Sequence, residues 1–372
     1  MSRRRIAVMV MAALLVSPRP GAAQQSQVVS TPADYPRGKI SGLVFGDLYY
    51  NLDGDPDHFY TAGGSDTLKT NIDSNSNKVI GKDLNGLQIR RVYLQLDNDL
   101  SVRVSTRFRF EVDGKSLTTD GKLGTFVKNA YLKLRAVYPG ADLTVGMLNT
   151  PTFDDDEAWW GYRAIEKTVG DFRGLAPASD LGLAVDGFVD ADRRFGYRVM
   201  VGDGTAQKPE DNRYKRAYLA LPVVVGDFHL EPYVDYEGAS GGNSRATYKV
   251  FAGYGLPRHT SIGLEWFDRV NHKGGAANQE PIALSLFVRA MPTERLGAFA
   301  RWDLWQPDKR QANRVDSHMF IAGFDWQVYK DVHMMPNIEA MQYVSKGTGV
   351  VPKSNELQAR ITFYYLFTKP QS

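Results

Sequence analysis

The chain of 372 residues is 43% hydrophobic and 23% charged, a balance that excludes a disordered polyelectrolyte. It has no cysteine, which excludes a disulfide scaffold, thiol catalysis and cysteine-ligated zinc, and its six histidines show none of the close spacings of a metal site. The formal charge of +3 comes from the first residues: without Arg3, Arg4, Arg5 and Arg19 it becomes −1, so charge gives no reason to expect nucleic acid as a partner.

Residues 1–23 read as a secretory signal peptide, with Arg3 to Arg5 followed by the apolar run Ile6 to Val16 and a cleavage point near Ala23. The run is too short for a spanning helix, which needs about 20 residues. Residues 24–38 are then a short periplasmic segment, residues 39–367 the body of the protein, and residues 368–372 a C-terminal tail. Export is the first functional inference.

Beyond Lys39 the chain is a succession of segments with period-2 alternation. In Val102–Asp113, Val102, Val104, Thr106, Phe108, Phe110 and Val112 share one face, while Arg103, Ser105, Arg107, Arg109, Glu111 and Asp113 share the other. Leu357–Phe367 repeats the rule with Gln358 and Arg360 on its polar face. Leu87–Leu96 fits only if the phase changes at Arg90-Arg91, as a β-bulge would cause. Such segments number about sixteen.

The connections alternate short and long down the chain. Turns such as Tyr138-Pro139-Gly140, Asp190–Arg194, Val224–Asp227 and Tyr329–Asp331 alternate with long segments such as Asn51–Asp83, Pro151–Asp180 and Ser345–Ser354. This describes an all-β, transmembrane, antiparallel up-and-down barrel, with periplasmic turns and extracellular loops. A soluble β-sandwich shares the alternation, but its Greek-key connections would break the short–long rhythm. Trp266, Trp302, Trp326, Tyr365 and Phe367 sit on the apolar faces near strand ends, where interfacial girdles form.

A barrel of this size encloses water, so function is expected on its inward face. Cations cluster on strands two to four: Arg91, Arg103, Arg107, Arg109, Lys133 and Arg135. In a column, guanidinium groups pass an anion along by bidentate contacts. Strand nine carries the opposite set, Glu231, Asp235 and Glu237, and expected lumenal acids and bases are equal in number. The long segment Pro151–Asp180 holds the acidic run Asp154, Asp155, Asp156 and Glu157, then Trp159 and Trp160, then Tyr162–Thr168 of helical character containing Glu166. Exposed on a loop, paired tryptophans would be an unusual apolar patch; folded into the barrel, they would be buried and the channel constricted.

Motifs for chemistry are weak. Gly238-Ala239-Ser240-Gly241-Gly242 matches the nucleophile-elbow string but joins two strands with no helix to follow. Asp53, Asp55 and Asp57 alternate as calcium ligands do, without the remaining glycine and terminal glutamate. No catalytic set, metal site or cofactor is therefore expected.

Ile89-Arg90-Arg91, the run Leu143–Phe153, and Ile165-Glu166-Lys167-Thr168 followed by Ala178-Ser179-Asp180-Leu181-Gly182 resemble segments of the phosphate-selective porin family of bacterial outer membranes. The likeness implies sixteen strands, a homotrimer, an inward third loop and lumenal arginines that attract anions. Ser179 stands where that family would place an arginine, and Phe367 is not the last residue. The expected function is passive diffusion of small hydrophilic solutes and ions, phosphate among them, through a barrel surrounded by outer-membrane lipid. A general or cation-favouring porin is the alternative, and a barrel enzyme or adhesin a more distant one.

Overall fold

The computed structural model describes residues 35–55, 81–118, 122–256 and 259–371; the expected signal peptide and Asp57 lie outside them. The strands are β1 (Arg37–Asp53), β2 (Asn85–Asp99), β3 (Val104–Leu117), β4 (Leu123–Tyr138), β5 (Ala141–Asn149), β6 (Ser179–Phe188), β7 (Gly196–Gly202), β8 (Arg216–Ala220) and β9 (Val223–Val225). They continue as β10 (Phe228–Gly238), β11 (Ser244–Gly255), β12 (Ser261–His272), β13 (Ile282–Ala290), β14 (Leu296–Gln306), β15 (Arg314–Tyr329), β16 (Val332–Lys346) and β17 (Glu356–Gln371). Two short helices, α1 (Asp154–Trp160) and α2 (Val169–Phe172), lie between β5 and β6.

Every strand ladder is antiparallel, successive staves are neighbours in the chain, and β1 pairs with β17 from Gly38↔Gln371 to Asp53↔Leu357, which closes the sheet. β8 and β9 both pair with β10. Counted as one stave, they make the barrel sixteen-stranded. Closure leaves no sheet edge, the condition under which a β-structure tolerates hydrocarbon.

The strands form where alternation demands them. Along β10, His229, Glu231, Tyr233 and Asp235 are buried while Phe228, Pro232 and Tyr236 are exposed. The outward face is apolar around the barrel, as in Leu183, Val201, Leu264, Val288, Phe324 and Trp326. The girdle aromatics Trp326, Tyr365 and Phe367 stand exposed on it.

Two bulges reset the faces. Phe45 pairs with Arg91 and Gly46 with Ile89, so Arg90 is the extra residue and the phase change expected there is real. Likewise Arg109 pairs with Asn129 and Phe110 with Val127, which leaves Lys128 as the extra residue of β4.

Several boundaries differ from the sequence reading. β3 starts at Val104: the Ser101 hydroxyl accepts from the amides of Arg103 and Val104 at 3.2 and 3.1 Å, and this turn leaves Arg103 exposed outside the strand. Of the turn expected at Val224–Asp227, only Gly226-Asp227 turns, and Val224 and Val225 belong to strand β9; the stave is interrupted earlier, at Leu221-Pro222, because proline offers no amide to the ladder. Lys369 pairs with Ile40 and Gln371 with Gly38, so residues 368–371 extend β17 alongside a first strand that begins at Arg37. Their polar composition hid a strand that register with β1 defines.

Candidate functional site

Residues 150–178, between β5 and β6, organise the interior. The acidic run and the tryptophans form α1, with Asp154 to Glu157 in its first turn, where carboxylates suit the helix dipole. The helix stops at Gly161, whose φ of 69° only glycine adopts freely. The helical stretch expected over Tyr162–Thr168 is instead irregular, and the next helix is α2. Arg90 explains this: it donates to the carbonyls of Ala164 and Ile165 at 3.1 and 2.6 Å, removing acceptors a helix would use.

One side of this segment packs on apolar side chains of β11 to β16. Trp159 and Trp160 are buried, with ring centroids 6.0 Å from Phe251 for the first and 5.4 Å from Phe287 for the second. Phe299, Met319, Ile321, Met335 and Met341 belong to the same cluster. Gly253 is what lets Trp159 in, since a Cβ there would lie 2.8 Å from the indole. Each buried large side chain contributes about 1.5–3 kcal/mol of burial free energy.

Buried ion pairs fix the segment around this apolar bed. Lys249 of β11 meets Asp156 at 3.1 Å and Glu231 of β10 at 2.8 Å. Arg90 of β2 meets Glu166 at 2.9 Å, and Arg301 of β14 donates to the Lys167 carbonyl at 2.5 Å. Glu265 of β12 accepts the amides of Val169 and Gly170 at 3.2 and 3.4 Å. Arg173 donates to Ser317 of β15 at 3.1 Å. A single loop thus holds partners on β2, β11, β12, β14 and β15.

The other side, toward β2 to β7, is open. Arg107, Lys133, Arg198, Asp154 and Asp186 line a cavity of about 160 Å³. Arg109, Lys128, Arg163, Asp154 and Glu157 line one of about 500 Å³. Together these are six cations and three carboxylates. Burial pushes the Glu157 carboxyl up to about 7, although Arg163 stands 2.8 Å away.

The expected site residues divide accordingly. Arg107 is on the cavity wall, held to Asp97 at 2.6 Å; Arg109 donates to Gln95 at 2.6 Å and lies over the Tyr93 ring at 5.3 Å. Arg91 is paired with Glu111, Lys133 with Asp142 at 3.5 Å, and Arg135 with Asp99 at 2.5 Å near the turn. Arg103 stands apart on its exposed bend, so the column of three arginines is a pair. Asp154 faces both cavities, Asp155 binds Arg198 at 2.8 Å, and Asp156, Glu157, Trp159, Trp160 and Glu166 take the places described above. The acids of strand nine are all paired: Glu231 with Lys249, Asp235 with Arg216 at 2.7 Å, Glu237 with Arg245.

Sequence reasoning passed over Arg90, Lys128 and Arg163. Arg90 and Lys128 were assigned no inward role because strict alternation allows one of two adjacent residues inside, and bulges admit both. Arg163 sits in irregular chain, where periodicity gives no signal.

Asp155, His229 and Glu231 bring ligand-type atoms within 4.8 Å of one another. Arg198 and Lys249 already neutralise these carboxylates, at 2.8 Å from Asp155 and 2.8 Å from Glu231 respectively, so the cluster is a salt-bridge junction. Ser240–Gly242 is a single 3₁₀ turn leading into β11, not the helix that a nucleophile elbow requires.

No protein-family model matches the chain, and no curated protein sequence matches it. Solved structures do match. In-vitro folded OmpT of Vibrio cholerae, in its trimer form, superposes with a TM-score of 0.57 at 12% identity, covering 90% of this chain and 100% of that one. The anion-selective porin of Comamonas acidovorans gives 0.58 at 13%, covering 89% and 100%. The outer membrane channel DcaP of Acinetobacter baumannii gives 0.58 at 13%, covering 91% and 99%. At these identities the shared property is the fold, an outer-membrane porin-type barrel.

Proposed function

We propose that the chain is an outer-membrane porin, a water-filled channel for passive diffusion of small hydrophilic solutes, with residues 150–178 as its constriction and a modest preference for anions. The observation that carries the reading is the lining of the open cavities, six cations against three carboxylates. In a narrow, low-dielectric passage such an excess attracts anions and repels cations. The preference is modest because carboxylates stand behind the wall: among the described residues, every lining cation except Arg109 has a carboxylate partner. Arg109 suits an oxyanion such as phosphate, which it would hold by paired N–H donors. Diffusion down a gradient uses no catalytic residue and no cofactor. The trimer form of the V. cholerae barrel supports a homotrimer here.

The test is a planar-bilayer recording of purified protein under a salt gradient, with no energy source. Stepwise conductance and a reversal potential on the anion side are expected, with phosphate reducing the chloride current. Silent, well-folded protein would leave an enzyme or adhesin barrel; a reversal potential at zero would leave a general porin.

A further inference from the structure

Charges along the larger cavity fall into two kinds. Lys128 is answered by Glu111 at 3.4 Å, and Arg163 by Glu157 and Asp171, each at 2.8 Å. Arg109 and Asp154 have no ion-pair partner in contact: among the described residues, no carboxylate is within ion-pair distance of the Arg109 guanidinium and no cation within ion-pair distance of the Asp154 carboxylate, whose one hydrogen bond comes from Asn149 and which feels Arg198 only from farther along the smaller cavity. A strip of amides joins them. Arg109 lies opposite Asn129 across the β3–β4 ladder, Asn129 donates to Asn149 at 3.0 Å, and Asn149 donates to Asp154 at 3.2 Å. Tyr93, Phe153 and Leu43 supply apolar surface to the same cavity.

We propose, resting on the porin reading above, that this cavity is a binding station for small zwitterions of amino-acid to dipeptide size. The solute carboxylate takes the guanidinium of Arg109, the ammonium takes Asp154, a peptide group meets the amide of Asn149, and the apolar side chain lies against Tyr93 and Phe153. The volume of about 500 Å³ lies within the range of small-molecule sites. A simple anion would satisfy Arg109 but face Asp154 and Glu157; a simple cation would satisfy Asp154 but face three bases. Only a solute with both charges leaves neither end unmatched, and an unmatched charge in a confined site is costly.

The test uses purified full-length protein in liposomes, comparing uptake of glycyl-leucine, its N-acetyl form, its C-terminal amide and an uncharged sugar of similar size. Each peptide flux is read as a ratio to sugar flux, which corrects for insertion and pore width. The free dipeptide should saturate at low concentration and outrun both blocked forms. Arg109→Gln and Asp154→Asn should each raise its half-saturating concentration roughly tenfold, the value of one charge-assisted hydrogen bond. If N-acetyl-glycyl-leucine matches the free dipeptide, or Asp154→Asn improves uptake, the site is an anion site and the proposal fails while the porin reading stands. If both ratios are unmoved by either substitution, the station does not exist. If sugar fails to cross through folded protein, the porin reading and this proposal fall together.

Discussion

Strands β11–β16 and strands β2–β7 present opposite materials to residues 150–178. The first group offers Phe251, Phe287, Phe299, Met319 and Ile321, on which Trp159 and Trp160 are buried. The second offers Arg107, Arg109, Lys128, Lys133 and Arg198 around open space. The apolar half sets where the loop rests, by burial and by pairs such as Lys249–Asp156 that are costly to break. The charged half anchors the loop at fewer points, through Arg90 to Glu166 and Arg198 to Asp155, and leaves Arg107, Arg109 and Lys133 facing open space. On the porin reading proposed above, most of the loop's position is set by one wall of the barrel and most of the selectivity by the other.

The sharpest way to break this division is to delete Asp154–Thr168. The strand ladder closes without these residues, so the barrel should persist while conductance rises by about twofold or more, a change set by pore width. Unchanged single-channel conductance would place the loop outside the ion path.

Next in size is Lys249→Met, which leaves Asp156 and Glu231 buried without their cation. Removing one partner of a buried pair costs about 3–5 kcal/mol. The denaturant midpoint should fall accordingly and the open-channel current become noisy as the loop loosens. The matching change on the open wall, Arg107→Ala with Arg109→Ala, should move stability by at most about 0.5 kcal/mol, as surface substitutions do. It should shift the reversal potential toward cations, more at low salt than at high salt. Equal stability losses from the two walls would erase the distinction drawn between them.

The smallest expected effect is a pH dependence from Glu157, whose carboxyl burial raises to about 7. Below that pH it is protonated and neutral; above it the cavity gains a negative charge. Anion preference should therefore decline as pH rises through 7, and Glu157→Gln should flatten that step. A step of unchanged size in the variant would assign the titration elsewhere.

Much of the fold was legible because a strand exposed to two solvents must alternate, and tight turns differ in composition from long loops. The alternating segments read at Leu87–Leu96 and Leu357–Phe367 fall within β2 and β17. What alternation hides is any residue that breaks the period, hence the misplaced roles of Arg90 and Lys128. The apolar bed was half visible: Phe251 has the parity of Lys249, Phe287 that of Arg289, and Phe299 that of Arg301. An aromatic on the charged face has no reason to be there unless something apolar covers it. The cover came from the loop, where no periodicity ties Trp159 or Trp160 to a particular strand, so the contact could not be read from spacing alone.

The staves differ in length: β1 has 17 residues, whereas β7 has seven and the broken stave has five and three. At a rise of about 3.3 Å per residue β7 is roughly 23 Å long, and a tilt of about 40° reduces its height to roughly 18 Å. That is short of the apolar band of about 25 Å that outer-membrane barrels present to lipid, while β1 exceeds it. Seated in such a bilayer, the barrel would be met by thinner lipid beside β7 or would lean toward that side, at a fraction of a kcal/mol per ångström of mismatch. Such a low wall would give the barrel a preferred inclination in the membrane and a lipid ring of uneven thickness.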